Sequence, residues 1–116
     1  MSAARRWTMD KHAIVIADRD GVIQLWSAGA AALFGYAAGD TIGKKLDLIV
    51  PEQFRAAHWA GFGRAISSGS ANGEGTFFDA PVLCGDGEMK EFRGQFQLLR
   101  DESKQAIGAM AIFTSF

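Results

Sequence analysis

The run Trp26-Ser27-Ala28-Gly29-Ala30-Ala31-Ala32-Leu33-Phe34-Gly35-Tyr36 constrains the fold more than any other part of this chain. Ser27 stands where a helix takes its N-cap, the alanines that follow favour helix, and Gly35 can adopt the left-handed conformation that ends one. Just upstream, Ala13 to Trp26 reads as two apolar strands around Asp20-Gly21, a strong local signal for a β-hairpin. The chain therefore opens with a hairpin that leads directly into a short capped helix.

Periodicity outlines the remainder. A short helical turn is expected over Ala37 to Ile42, interrupted by Gly39-Asp40. Pro51 occupies the first position of a second helix, with Glu52 placing a negative charge in its positive first turn, and that helix runs to about Ser67. Gly69-Ser70-Ala71-Asn72-Gly73 breaks it, Gly75 to Leu83 reads as a strand, and Cys84-Gly85-Asp86-Gly87 as a tight turn. Phe92, Gly94, Phe96 and Leu98 alternate with mostly polar residues, giving a strand with one buried face. After a solvated turn at Asp101 to Gln105, the continuously apolar Ala106 to Thr114 suits a central strand covered on both sides. Strand, strand, helices and three strands make an α+β fold: a five-stranded antiparallel sheet with helices packed on one face. Its expected core is Ile14, Ile16, Ile23, Leu25, Phe34, Phe92, Phe96 and Ile112.

Composition bounds what such a domain does. With 116 residues, 48% of them hydrophobic, the chain can bury one core and no second. A formal net charge of −1 gives it no basic field for nucleic acid, so partners must be recognised by shape and apolar contact. The single cysteine, Cys84, excludes an internal disulfide, and no apolar run is long enough for a membrane span or signal segment. A cytoplasmic location without direct membrane contact is the expectation.

The hairpin and capped helix, followed in order by Ile42-Gly43-Lys44-Lys45-Leu46 and Ile49-Val50-Pro51-Glu52, resemble the PAS domains, a family of sensory and interaction modules. The resemblance covers about residues 10 to 112. It implies the PAS fold over residues 11–116, after an N-terminal extension or cap at 1–10. It also implies a sensory role within a larger signalling protein that carries the output domain. The Asp-x-Thr ending common in the family is replaced here by Phe113-Thr114-Ser115-Phe116.

The segment richest in chemistry is the second helix. Phe54, His58, Phe62 and Ile66 recur every four residues, so His58 falls in the apolar stripe expected to face the sheet, where an imidazole needs a partner. Heme-binding PAS sensors carry their proximal iron ligand on this helix, and Pro51-Glu52, Arg55, His58 and Arg64 resemble their motif. The resemblance implies heme b with His58 as axial and metal-binding residue, Arg64 beside a propionate, and gas or redox sensing. Gly61 and Gly63 would let a flat macrocycle approach. Phe77-Phe78 stands where oxygen-sensing relatives place a distal arginine, so a bound ligand would lack that donor.

Two further readings stand beside this one. PAS domains without heme carry similar helices in which the histidine bonds to backbone or solvent; such a domain senses a small organic ligand in the same cavity. Alternatively, the interior is filled by its own side chains and the domain is a dimerisation or protein-interaction module. Fourteen glycines and many alanines favour spare volume. In the first two readings the cavity walls are Phe54, Phe62, Ile66, Phe78, Phe96 and Met110. A homodimer is expected through the N-terminal segment around Trp7 and Met9 and a sheet face that includes Leu99 and Met110. Asp18, Asp20, Asp86 and Glu88 sit in turns that need them for backbone reasons, and no nucleophile–base set is visible, so an enzyme is not expected.

Overall fold

A computed structural model describes residues 12–114, and the expected N-terminal contacts of Trp7 and Met9 lie outside that range. Five strands, β1 (His12–Asp18), β2 (Ile23–Trp26), β3 (Phe77–Leu83), β4 (Met89–Arg100) and β5 (Ala106–Thr114), form one sheet in the order β2-β1-β5-β4-β3. Every neighbouring pair is antiparallel. The helices α1 (Ala28–Phe34) and α2 (Arg55–Ser68) follow β2, together with 3-10 turns at Ala38–Asp40, Leu46–Leu48 and Glu52–Phe54. Pro81 interrupts only an edge strand, where a missing ladder donor is tolerated.

Local chemistry sets the boundaries. The Asp18 carboxylate accepts from the backbone of Asp20 and Val22, closing the β1–β2 loop, while Gly21 supplies the positive φ the loop needs. The Ser27 hydroxyl oxygen accepts from Ala30 N at 3.1 Å and from Ile14 N at 2.9 Å. One side chain thus caps α1 and ties it to β1. Gly35, at φ 81°, ends the helix by donating to Ala31.

The main core lies between α1 and the sheet. Phe34 is fully buried, with the rings of Trp26, Phe92 and Phe113 at centroid distances of 5.7, 5.1 and 5.4 Å. These tilted and edge-on contacts are the arrangement aromatic quadrupoles favour. Gly94 makes room for the Phe113 ring, which a Cβ there would approach to 2.8 Å. Cys84 is buried, and burial holds its thiol above the usual range, so it is a core residue.

The expected core needs correction on β1, β2 and β5. Ala13, Val15 and Ala17 are the buried residues of β1, whereas Ile14 and Ile16 are only half-buried on the opposite face. Ile16 pairs with Leu25 and Ile14 with Ile112, so Leu25 and Ile112 share that outer face, and Leu25 is exposed. The physical reason is closeness: α1 packs onto β1 through Gly29 and Ala30, and short side chains let it approach. Ile23, Phe34 and Phe92 are buried as expected, and Phe96 is half-buried. β5 is central, but Ile107 is 48% exposed, so that end of the strand is not covered on both faces.

Candidate functional site

Helix α2 is fastened at its ends and stands away from the sheet between them. At the N-terminal end Arg55 donates to the carbonyls of Val50 and Asp47, at 3.0 and 3.2 Å. One turn later the Trp59 indole N–H donates to the Asp47 carboxylate, and its ring lies against Gly21, where a Cβ would come within 2.3 Å of it. Lys45 sits 5.5 Å from the centre of the same ring, a cation–π contact. At the C-terminal end Ala65 and Ile66 pack with Leu98 and Ala106, and Gly69 caps the helix at φ 73°. Arg100 adds a clasp: it donates to the Gly69 carbonyl through Nε and Nη2 and pairs with Glu74, Nη2 to Oε1 at 2.7 Å. Of the fourteen residues of α2 only Ala65 is buried.

The gap beneath the helix is a partly open cavity of about 830 Å³. Ala57, Gly61 and Ala65 form the middle of its helical wall, and Val15, Ala17, Ala109 and Ala111 line it from the central strands. Short side chains face one another across the layer, so the space is left unfilled. Leu46, Ile49, Val50, Pro51 and Phe54 close one end; Ser68, Ser70, Ala71 and Asn72 the other. The volume and largely apolar lining are those of a small-molecule site.

His58 and Arg64 both border this cavity. The imidazole stands edge-on to Trp59 at 4.9 Å and stacks on Phe62 at 5.9 Å. Its Nδ1 is enclosed and has no hydrogen-bond partner among the described residues. Burial depresses its pKa, and nearby Asp47 offsets this only in part, so the ring is neutral at neutral pH. Heme ligation therefore meets one of its two requirements. An imidazole lies on the cavity wall, but ligation through Nε2 leaves the proton on Nδ1, where a metal-bound histidine ordinarily donates to a carbonyl or carboxylate. No such acceptor faces Nδ1, and the fit to heme is incomplete.

Of the other residues the sequence singles out, Phe54, Phe62, Phe78, Phe96 and Met110 also border the cavity. Met110 pairs with Ile16 and Gln97, which turns its side chain to the outer face and leaves its backbone to touch the cavity. Ile66 packs in the small cluster with Ala65, Leu98 and Ala106 instead, at the end where α2 meets the sheet. The small residues that make the space, Ala57, Gly61 and Ala65, were not singled out as walls. Their recurrence every four positions was the available signal.

Comparison with known proteins agrees with this architecture. A family model for the PAS fold matches residues 11–115. No curated protein matches the chain at a significant level. Among solved structures, a PAS domain from Colwellia psychrerythraea superposes with a TM-score of 0.78 at 22% identity, covering 94% of this chain and 91% of that one. The PAS domain of the Cronobacter turicensis RpfR quorum-sensing receptor, in complex with C12:0, gives 0.70 at 18% identity over 91% and 94%. The PAS-B domain of Drosophila melanogaster Cycle with bound glycerol, a W398A variant, gives 0.68 at 11% identity over 90% and 99%. With the five-stranded sheet and the match over nearly its whole length, this chain belongs to the PAS family of sensory and interaction modules.

Proposed function

We propose that the domain senses a small organic ligand held between α2 and the sheet, and reports its occupancy to an output domain of a longer protein. The observation that carries this reading is the cavity itself: about 830 Å³, apolar along most of its wall, beneath a helix that packs tightly only near its ends. A self-filled interaction module would need those facing positions occupied by large side chains, and they are alanine and glycine. Neighbours of the same fold were solved with C12:0, with BDSF and with glycerol, which supports a ligand in this chain as well. Occupancy would act through α2, because Trp59, Asp47 and Gly21 join that helix to the β1–β2 loop.

Calorimetric titration of the purified chain with dodecanoic acid, below its micellar concentration, tests the reading. One site is expected, with an unfolding free energy raised by about 2.7 kcal/mol at a hundredfold excess over Kd. Gly61→Phe, which fills the cavity from the helical side, should abolish binding. Equal affinity in Gly61→Phe, or no binding across linear acids, alcohols and aromatic acids, would overturn it. Uptake of hemin with a Soret band that disappears in His58→Ala would install the heme reading instead.

A further inference from the structure

Resting on that reading, we infer that the ligand class is an anionic amphiphile, a single alkyl chain with a carboxylate head, whose head is held at Arg64 and whose tail runs beneath α2 toward Phe54. The first ground is charge. Among the described residues no aspartate or glutamate lines the cavity, and Arg64 is its only lysine or arginine. His58 adds no charge at neutral pH, since burial depresses its pKa.

The second ground is that this cation is unpaired. Among the described residues Arg64, exposed to solvent at the cavity mouth, makes no salt bridge or hydrogen bond and is free to meet a head group there, whereas Arg55 and Arg100 are engaged in holding the ends of the helix. The Arg64 guanidinium folds back over Gly61, with Nη2 3.8 Å from where a Cβ of Gly61 would stand. Gly61 is part of the cavity wall, so the fork lies at the cavity edge and can receive a carboxylate with two parallel donors.

The third ground is the polarity of the two ends. Near Arg64 the wall is Ser68, Ser70 and Asn72. Ser68 is spent on the Ser70 backbone, but the exposed Asn72 carboxamide has no partner among the described residues and can donate to a head group. The negative end of the helix dipole, which would repel an anion, is already met by Arg100 on the Gly69 carbonyl. The opposite end is lined by Leu46, Ile49, Val50, Pro51 and Phe54, all uncharged, and the Arg55 guanidinium beside it is held by the Val50 and Asp47 carbonyls. Phe54 lies seven residues before Gly61, about 10 Å along a helix axis. At about 1.2 Å per bond in an extended chain, that span takes roughly eight bonds, with Leu46 and Val50 offering wall beyond it.

Three probes of equal chain length separate the inference from the reading beneath it: dodecanoic acid, 1-dodecanol and dodecyltrimethylammonium, titrated into the intact chain at low ionic strength. The acid should bind about tenfold more tightly than the alcohol, the size of a partly solvated charge-assisted contact, and the cation more weakly still. Arg64→Gln should remove that tenfold preference while changing the alcohol less than twofold, and Arg64→Lys should restore part of it. Thermal unfolding of each variant checks that α2 remains folded. If acid and alcohol bind alike, or if Arg64→Gln weakens all three equally, the inference fails and the cavity reading stands. If none of the three binds, the inference fails, and the cavity reading fails with it when aromatic acids do not bind either.

Discussion

The middle of α2 offers a test in which stability and ligand binding separate at two glycines only two residues apart. A Cβ added at Gly63 meets nothing within 4 Å, and the residue is exposed; at Gly61 the nearest atom is Arg64 Nη2, at 3.8 Å, on the cavity side. Neither has a positive φ, so alanine fits the backbone at both positions. Replacing a helical glycine with alanine is worth about 0.8–1.0 kcal/mol. For a domain of this size that raises the melting temperature by about 4–6 °C. Gly63→Ala and Gly61→Ala should both show this gain in urea denaturation followed by circular dichroism, with an unchanged m-value. Only Gly61→Ala places a methyl in the ligand's space. It should weaken dodecanoate binding about fourfold or more, the equivalent of roughly 0.8 kcal/mol for one displaced methylene, while Gly63→Ala leaves affinity unchanged. A loss of stability in Gly63→Ala, or equal effects of both variants on binding, would refute the assigned face of α2.

Other consequences can be checked separately. Phe34→Ala deletes the ring at the centre of the Trp26, Phe92 and Phe113 cluster and should cost about 3–5 kcal/mol in the same denaturation assay; a cost below about 1 kcal/mol would contradict its placement. The hydrogen bond from Arg100 holds the Glu74 carboxyl below its ordinary value of 4.5. A pKa depressed by folding contributes stability that is complete above that value and lost as pH falls below it and through the folded-state value. Glu74→Gln should therefore flatten the acid limb of stability between pH 6 and pH 3, and an unaltered limb would show the clasp to be without effect. Association through the outer sheet face should appear in light scattering as a dimer that Leu25→Glu with Ile112→Glu converts to monomer; a monomeric parent chain would remove that expectation.

How much of this was legible in the sequence depends on whether a signal is local. Ser27, Gly35 and Gly69 act through their own backbone neighbourhood, and the structure starts or ends helices where they stand, whereas Pro51 is extended and precedes a 3-10 turn at Glu52–Phe54, so that α2 begins at Arg55 and not at Pro51. The β4 alternation is equally plain, because polar residues mark its outer face. In Ala13-Ile14-Val15-Ile16-Ala17 both phases are apolar, so periodicity gives a strand without saying which side faces in. Hydrophobicity alone favours the isoleucines. The approach of α1, a contact between elements, selects the alanines and valine.

The same ambiguity concealed the cavity wall. Phe54, just before α2, and His58, Phe62 and Ile66 on it form the more conspicuous stripe, and a helix packed directly on a sheet would bury it. Here Trp59 on Gly21 and Asp47 at one end, with Ala65 and Ile66 against Leu98 and Ala106 at the other, set the rotation of the helix. Ala57, Gly61 and Ala65 line the cavity across from Ala109 and Ala111, and their short side chains leave the space beneath the helix open. A fully packed version of this layer needs larger side chains at those three positions and no new backbone. Leaving them small forgoes about 0.8 kcal/mol for each methylene that could have been buried there. A ligand that fills the gap recovers part of that burial and reinforces a helix weakened by two interior glycines, which makes the order of α2 the quantity that occupancy can change.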